Sequence, residues 1–117
     1  MDRLLVVEGD SSLQEAYTER LRTGGLYVER AVTKHQLVDS LCNVHEFTVV
    51  VAGGNTPDDA VELVKKVKAQ GCTGSIVAVV DDLATYSHPA FVAGATHVTN
   101  HRNAPYVLED ILYNDAA

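Results

Sequence analysis

The chain has 117 residues, a net charge of −7 and 46% hydrophobic residues. This composition is typical of one soluble globular domain, and it excludes a disordered chain. The acidic balance argues against nucleic-acid binding, no apolar run reaches the roughly 18–20 residues of a membrane helix, and no signal-peptide pattern is present. We therefore expect a cytoplasmic protein that contacts neither nucleic acid nor membrane. Cys42 and Cys72 lack metal-ligand spacing and are predicted to be free thiols in or near the core.

The start of the chain predicts a strand followed by a helix. Leu4–Val7 is a continuous apolar run, which is typical of a strand buried on both faces. Ser11 or Ser12 then offers an N-cap, with a carboxylate or amide side chain three residues later, as in a capping box. The helix that begins there is expected to end at Gly24, because glycine is the usual residue after a helix C-terminus.

The middle of the chain predicts two more strands, each followed by a helix. Leu26–Val32 alternates between apolar and polar residues, which indicates a strand near an edge of a sheet, and Thr33 can cap the second helix. Phe47–Ala52 is the most apolar segment and is predicted to be the central strand. Thr56–Asp59 is a strong helix start, since it combines a capping threonine, a first-turn proline and two acids.

The last third of the chain predicts two further strands, each followed by a helix. Ser75–Val80 predicts a fourth buried strand. A weak helix is expected around Ser87–Ala93, with Pro89 inside it, followed by a short fifth strand at His97–Thr99. Asn103 is expected to cap the last helix.

This alternation of strands and helices predicts an α/β fold with a doubly wound parallel sheet, because parallel strands are joined by right-handed helical crossovers. In such sheets a ligand crevice lies at the carboxyl ends of the strands. The rule brings four segments to one edge of the sheet: Glu8–Asp10, Gly53–Asn55, Asp81–Asp82 and Asn100–Arg102.

Three segments, Leu4–Asp10, Val49–Pro57 and Ala93–Thr96, make the whole chain resemble the receiver domain of two-component response regulators. The resemblance implies a flavodoxin-like sheet of five strands in the order 2-1-3-4-5 with five helices. Members of this CheY-like family accept a phosphoryl group from a histidine kinase on an aspartate after the third strand. They use acids after the first strand to hold magnesium, a serine or threonine after the fourth strand and a lysine after the fifth.

The chain departs from the family at most of these positions, although Glu8 keeps the first acid. Gly9 replaces the second acid, and Gly53 (or Ala52 in a shifted loop alignment) replaces the phosphoacceptor aspartate. Val80 replaces the serine or threonine, and Val98 replaces an aromatic residue on the fifth strand. His101 replaces the lysine. Phosphoryl transfer needs an in-line nucleophile and positive charge around the phosphoryl oxygens, and magnesium prefers carboxylate ligands. The sequence therefore predicts a vestigial pocket, without catalytic residues, metal or cofactor, in an atypical pseudo-receiver.

Several alternatives remain open at this edge. Asp10 can cap the first helix or act as a substitute ligand. Asp81 and Asp82 can be hydrated, or can join Glu8 and Asp10 in a rebuilt cation site. The crevice can also serve a small-ligand or ion sensor, with Gly53–Asn55 and His101–Arg102 as contacts. An enzyme is not predicted, because no nucleophile–base pair or metal-binding motif is visible.

If the pocket cannot be phosphorylated, we expect the domain to function through contacts on its surface. The resemblance implies contacts through the fourth helix, the fifth strand and the fifth helix, where Tyr86, Phe91, Val98 and Tyr106 are the candidate interface residues. We predict that residues 1–117 form one receiver-like domain, the N-terminal part of a longer regulator. It would act without phosphorylation through a protein partner, its own output domain or a homodimer.

Overall fold

A parallel β-sheet forms the centre of the fold. The structure is a computed structural model that describes residues 4–8, 19, 22–23, 30–33, 49–53, 57–100 and 102–114. The strands are β1 (Leu4–Glu8), β2 (Arg30–Thr33), β3 (Val49–Ala52), β4 (Ser75–Val79) and β5 (His97–Thr99). They form one sheet in the order β2-β1-β3-β4-β5, and every neighbouring pair is parallel. The α/β class, the parallel sheet and the strand order agree with the prediction.

Three helices have described bounds: α1 (Pro57–Ala69), α2 (Leu83–Ala93) and α3 (Ala104–Asn114). The other two predicted helices fall almost wholly outside the described residues, as do residues 26–29 and 47–48 of the predicted second and third strands. Glu19, Arg22 and Thr23 are helical, and the Thr23 hydroxyl donates to the Glu19 carbonyl oxygen (2.9 Å). No helix in the described part of the chain is long and apolar enough to span a bilayer.

The strands carry apolar side chains on both faces of the sheet, because helices cover both. Alternate strand residues point to opposite faces. One face packs against α1 and α2 through a cluster that contains Val7, Val50, Ala52, Leu63, Val64, Val67, Ile76, Ala78 and Ala90. The other face packs against α3 through Val6, Val49, Val51, Val77, Val79, Ala104 and Leu108. The continuous apolar runs thus formed strands buried on both sides, as predicted.

Helices α1 and α2 end in the same way, at glycines with positive φ. Gly71 (φ 95°) and Gly94 (φ 125°) follow the two helix ends. After α2, the Gly94 N–H donates to the Phe91 carbonyl (3.1 Å) and the Ala95 N–H to the Ala90 carbonyl (3.0 Å), which is a Schellman motif. The equivalent bonds after α1 bring the chain back into the core at Cys72, which is 3% exposed.

The prediction that α2 begins near Ser87 was wrong. The helix begins one turn earlier, at Leu83, because the Asp82 carboxylate Oδ1 accepts a hydrogen bond from the Thr85 N–H (3.2 Å) and caps it. Pro89 lies inside α2. The helix continues past the proline while Ala90, which is fully buried, anchors its inner face in the core.

Asn103 directly precedes α3, where the sequence predicts its cap, and its carbonyl accepts the Val107 N–H (3.2 Å). The side chain of Asn100, three residues before the expected cap at Asn103, accepts the Asn103 N–H through Oδ1 (2.8 Å). The Asn100 carbonyl accepts the Ala104 N–H (2.9 Å). The side chain and the carbonyl of Asn100 thus accept the N–H groups of the two residues at the start of α3 and directly before it.

Candidate functional site

The carboxyl ends of the strands meet at one edge of the sheet. Val7 pairs with Ala52, Ala52 with Ala78, and Ala78 with Val98, so these four residues form one row across the sheet. The chain positions just beyond this row belong to the predicted pocket. Glu8, Ala52, Gly53 and Val80 lie at this edge, whereas Gly9, Asp10 and His101 fall outside the described residues.

Gly53 occupies the position expected for a phosphoacceptor. It is buried, and its N–H donates to the Val7 carbonyl oxygen (2.9 Å), which extends the β1–β3 ladder by one residue beyond β3. Ala52, the residue of the alternative alignment, is fully buried. Neither residue has an oxygen in its side chain, so neither can attack a phosphoryl group.

Val80 closes the neighbouring strand end with an apolar side chain. It is 1% exposed, and its N–H donates to the Thr99 carbonyl (2.8 Å), which continues the β4–β5 ladder past β4. A hydroxyl at this position would offer a hydrogen bond to an anion, whereas the valine methyl groups offer none. The described ends of β3 and β4 are therefore buried and apolar.

The acids that follow β4 are turned outwards. Asp81 and Asp82 are exposed, and Asp82 caps α2. Among the described residues, no group of three or more histidine, cysteine, aspartate or glutamate side chains could hold a metal ion. The rebuilt cation site and the small-ligand sensor stay predictions, because both also require residues at Asp10, Gly54, Asn55 or His101 that lie outside the described part.

The four candidate interface residues divide into two kinds. Phe91 and Tyr106 are 50% and 71% exposed. Tyr86 and Val98 are partly buried and pack against the core cluster between the sheet and α1 and α2. Val92, which the sequence analysis missed, is 73% exposed. Helical periodicity would have found it if α2 had been started at Leu83, since Val92 then lies away from the inward positions Tyr86, Ala90 and Ala93.

The outward side of α2 carries no charge. No aspartate, glutamate, lysine or arginine occurs between Leu83 and His101, although the whole chain has 25 such residues (9 basic and 16 acidic). We call its exposed residues the α2 face: Ala84, Thr85, His88, Pro89, Phe91 and Val92. Exposed apolar groups gathered on one uncharged helix side are typical of a contact surface. The edge strand β5 continues the same uncharged segment.

Cys72 confirms the prediction of a thiol in the core. It is 3% exposed and free. Burial raises the pKa of its thiol above the ordinary value, while a hydrogen bond from the Gly74 backbone and the positive charge of Lys68 act in the opposite direction. A buried thiol that stays protonated is a poor nucleophile, so Cys72 belongs to the packing rather than to a reactive site. Cys42 lies outside the described residues.

Comparison with solved structures identifies the fold. A LuxR-family DNA-binding response regulator from Staphylococcus aureus superposes with a TM-score of 0.67 at 15% identity, over 97% of this chain and 98% of that chain. The fold is that of a response-regulator receiver domain. The signal receiver domain of NarL from Mycobacterium tuberculosis (TM-score 0.68, 16% identity) covers 98% of this chain and 96% of its own. The non-phosphorylated receiver domain of RcsB from Escherichia coli (0.67, 13%) covers 99% and 94%.

At these identities the likeness shows a shared receiver fold. No family model and no curated protein matches the chain. The fold-level part of the resemblance to receiver domains is thereby confirmed. Whether the domain can be phosphorylated depends on individual side chains rather than on the fold.

Proposed function

We propose that this chain is a phosphorylation-independent, receiver-like signalling module. It would act by protein–protein contact in two-component-type signal transduction or in transcription regulation, and it would catalyse no reaction. The observation that carries the proposal is the edge formed by Gly53 and Val80. Both residues are buried, and the N–H group of each donates a hydrogen bond to the neighbouring strand. Neither residue has an oxygen in its side chain.

The physical argument concerns what phosphorylation would need at this edge. A phosphoryl group on the strand end requires an acceptor carboxylate, and its oxygens then need donors or a metal ion around them. Gly53 and Val80 would leave these charged oxygens against buried apolar groups, which is unfavourable. The edge is thus compatible with a domain that is no longer switched by a phosphoryl group.

The contact surface that we propose includes the α2 face and Tyr106. Two mechanisms would allow such a surface to signal without phosphorylation. The domain can stay in one signalling conformation, or a partner that binds two conformations unequally can shift the balance between them. The partner would be another protein, an output domain of the same regulator or a second copy.

Phosphodonor labelling tests the proposal. The purified chain is incubated with acetyl phosphate and magnesium beside a conventional receiver domain as positive control, and intact masses are measured before and after hydroxylamine. We expect the control to gain one phosphoryl group that hydroxylamine removes, and this chain to keep its mass. A hydroxylamine-labile gain on this chain would refute phosphorylation independence, and peptide mapping would then locate the substitute acceptor.

A further inference from the structure

His88 is the one ionisable side chain of the α2 face. No aspartate, glutamate, lysine or arginine occurs between Leu83 and His101, so the charge of this segment between about pH 5 and 8 depends on its histidines. His88 and His97 are the histidines between these two positions, and of the two His88 is the one that is exposed on α2. The α2 face can therefore gain a charge at His88 and at no other member.

His88 lies among the apolar side chains of that face. Ala84 precedes it by four residues, and Phe91 and Val92 follow it by three and four, all inside the bounds of α2. Residues at these spacings are neighbours on one side of a helix. All four are exposed, Phe91 by 50% and Val92 by 73%. A partner that covers Phe91 and Val92 would thus also cover His88.

Two side chains of opposite charge lie at the two ends of α2. Asp82 caps the first turn, and the stem of Lys68 lies against Gly94, which directly follows the last turn. Asp82 and Gly94 are each six residues from His88, which is about 9 Å along the helix axis. The two charges therefore act on His88 in opposite directions. The other titratable or charged residues on α2, before it, or on the elements packed against it are Tyr86, Asp81, Asp58, Asp59, Glu62, Lys65, Lys66 and His97.

The charge of His88 decides how costly the α2 face is to cover. Removing an unpaired imidazolium from water is unfavourable, whereas a neutral imidazole is much less costly to bury. We propose that His88 makes the α2 face pH-sensitive: a partner binds this face while His88 is neutral and dissociates when His88 is protonated. The inference rests on the proposed function, since it concerns the regulation of the same contact surface.

The partner surface that fits this switch is apolar and uncharged, like the α2 face itself. An acidic partner would bind the imidazolium instead, but the net charge of −7 on the chain disfavours an acidic partner. A contact that accepts only the neutral imidazole weakens by up to tenfold for each pH unit on the acid side of the titration. Binding should therefore be tighter at neutral than at acidic pH.

Hydrophobic-interaction chromatography tests the proposal, with the neutral phenyl groups of the resin in place of an apolar partner. The retention factors of the parent chain, His88→Gln and His88→Lys are compared at about pH 7.5 and about pH 5.5, within the range where histidine changes charge. The retention of the parent relative to His88→Gln should fall about threefold or more at the lower pH. His88→Lys keeps its charge, so its retention relative to His88→Gln should be low at both pH values.

Two further variants serve as controls. Val92→Ser should lower the retention at both pH values, because the resin contacts the α2 face. His97 is partly buried on β5, where its Nδ1 lies 2.9 Å from the Thr96 hydroxyl oxygen. His97→Gln removes an imidazole from outside the α2 face and should keep the pH dependence of the parent. Circular dichroism at both pH values checks that each variant is folded.

The outcomes distinguish this inference from the proposed function. The same pH dependence for the parent and His88→Gln would overturn the inference, as would strong retention of His88→Lys or unchanged retention of Val92→Ser. The proposed function would still hold in each case with contacts elsewhere on the surface, since phosphodonor labelling decides phosphorylation independence separately. A hydroxylamine-labile mass gain would in turn refute phosphorylation independence and leave the pH dependence of the α2 face in place.

Discussion

Thr96 completes the start of β4 by bonding both main-chain groups of Ile76. The Thr96 N–H donates to the Ile76 carbonyl (2.8 Å), and the Ile76 N–H donates to the Thr96 hydroxyl Oγ1 (3.0 Å). Ile76 is fully buried, so its N–H depends on this partner, which lies 20 residues away in the chain. The threonine side chain therefore adds a hydrogen bond between β4 and the residue before β5, at the end of the sheet opposite the candidate site.

Replacing Thr96 with valine should destabilise the domain. Valine keeps the shape of threonine but removes the acceptor, which leaves the buried Ile76 N–H without that partner at a cost of about 1–3 kcal/mol. Thr96→Ser keeps the hydroxyl and should lose less. Urea unfolding followed by circular dichroism measures both, and equal free energies of unfolding for the two variants would show that the hydroxyl bond contributes little.

Gly94→Ala should be more costly than Gly71→Ala, although both glycines have positive φ. A Cβ at Gly71 meets no atom within 4 Å, so the cost there is backbone strain of about 1–2 kcal/mol. A Cβ at Gly94 would lie 3.0 Å from Cγ of Lys68, so crowding adds about 1 kcal/mol or more. Unfolding free energies in water test the order.

Lys68→Ala serves as the control for that comparison. The substitution removes Cγ and Cδ of the lysine, so Gly94→Ala should cost less in this background than in the parent chain. If the penalty at Gly94 is the same in both backgrounds, crowding against Cγ and Cδ of Lys68 contributes nothing to it.

Asp82→Ala should lower the free energy of unfolding by about 0.5–2 kcal/mol, because α2 loses its N-cap. Asp82→Asn retains an acceptor for the Thr85 N–H and should stay near the parent value. Thermal unfolding with and without magnesium checks the assignment. A magnesium-dependent stabilisation of the parent chain that vanishes in Asp82→Asn would instead place Asp82 in a cation site.

The stability that Cys72 contributes should fall at alkaline pH. Its pKa is raised in the folded state, so the folded chain binds the proton more tightly than the unfolded chain. The contribution is complete below the unfolded thiol pKa of about 8.5 and declines as pH rises towards the higher folded value. The stability difference between the parent chain and Cys72→Ala, measured in reductant, should therefore shrink above about pH 8.5. A constant difference across that range would contradict the burial effect.

The strands were predictable because burial on both faces demands a continuous apolar run. Val49–Ala52 and Ser75–Val79 have this pattern, and they are the two inner strands β3 and β4. The start of α2 was misplaced because Asp82 was assigned to the site edge and Pro89 weakened the helical pattern. A carboxylate before a helix serves equally well as cap or ligand in a sequence, and only its contact with the Thr85 N–H decides between them.

The sequence by itself determined that neither Ala52 nor Gly53 can accept a phosphoryl group, because the absence of an oxygen from these two side chains does not depend on folding. It also determined that no charged residue lies between Leu83 and His101. Only the tertiary structure decided that Tyr86 and Val98 pack inward, and that Phe91, Val92 and Tyr106 face outward. These properties depend on where α2 begins and on how the helices dock on the sheet, because docking brings together residues that are far apart in the chain.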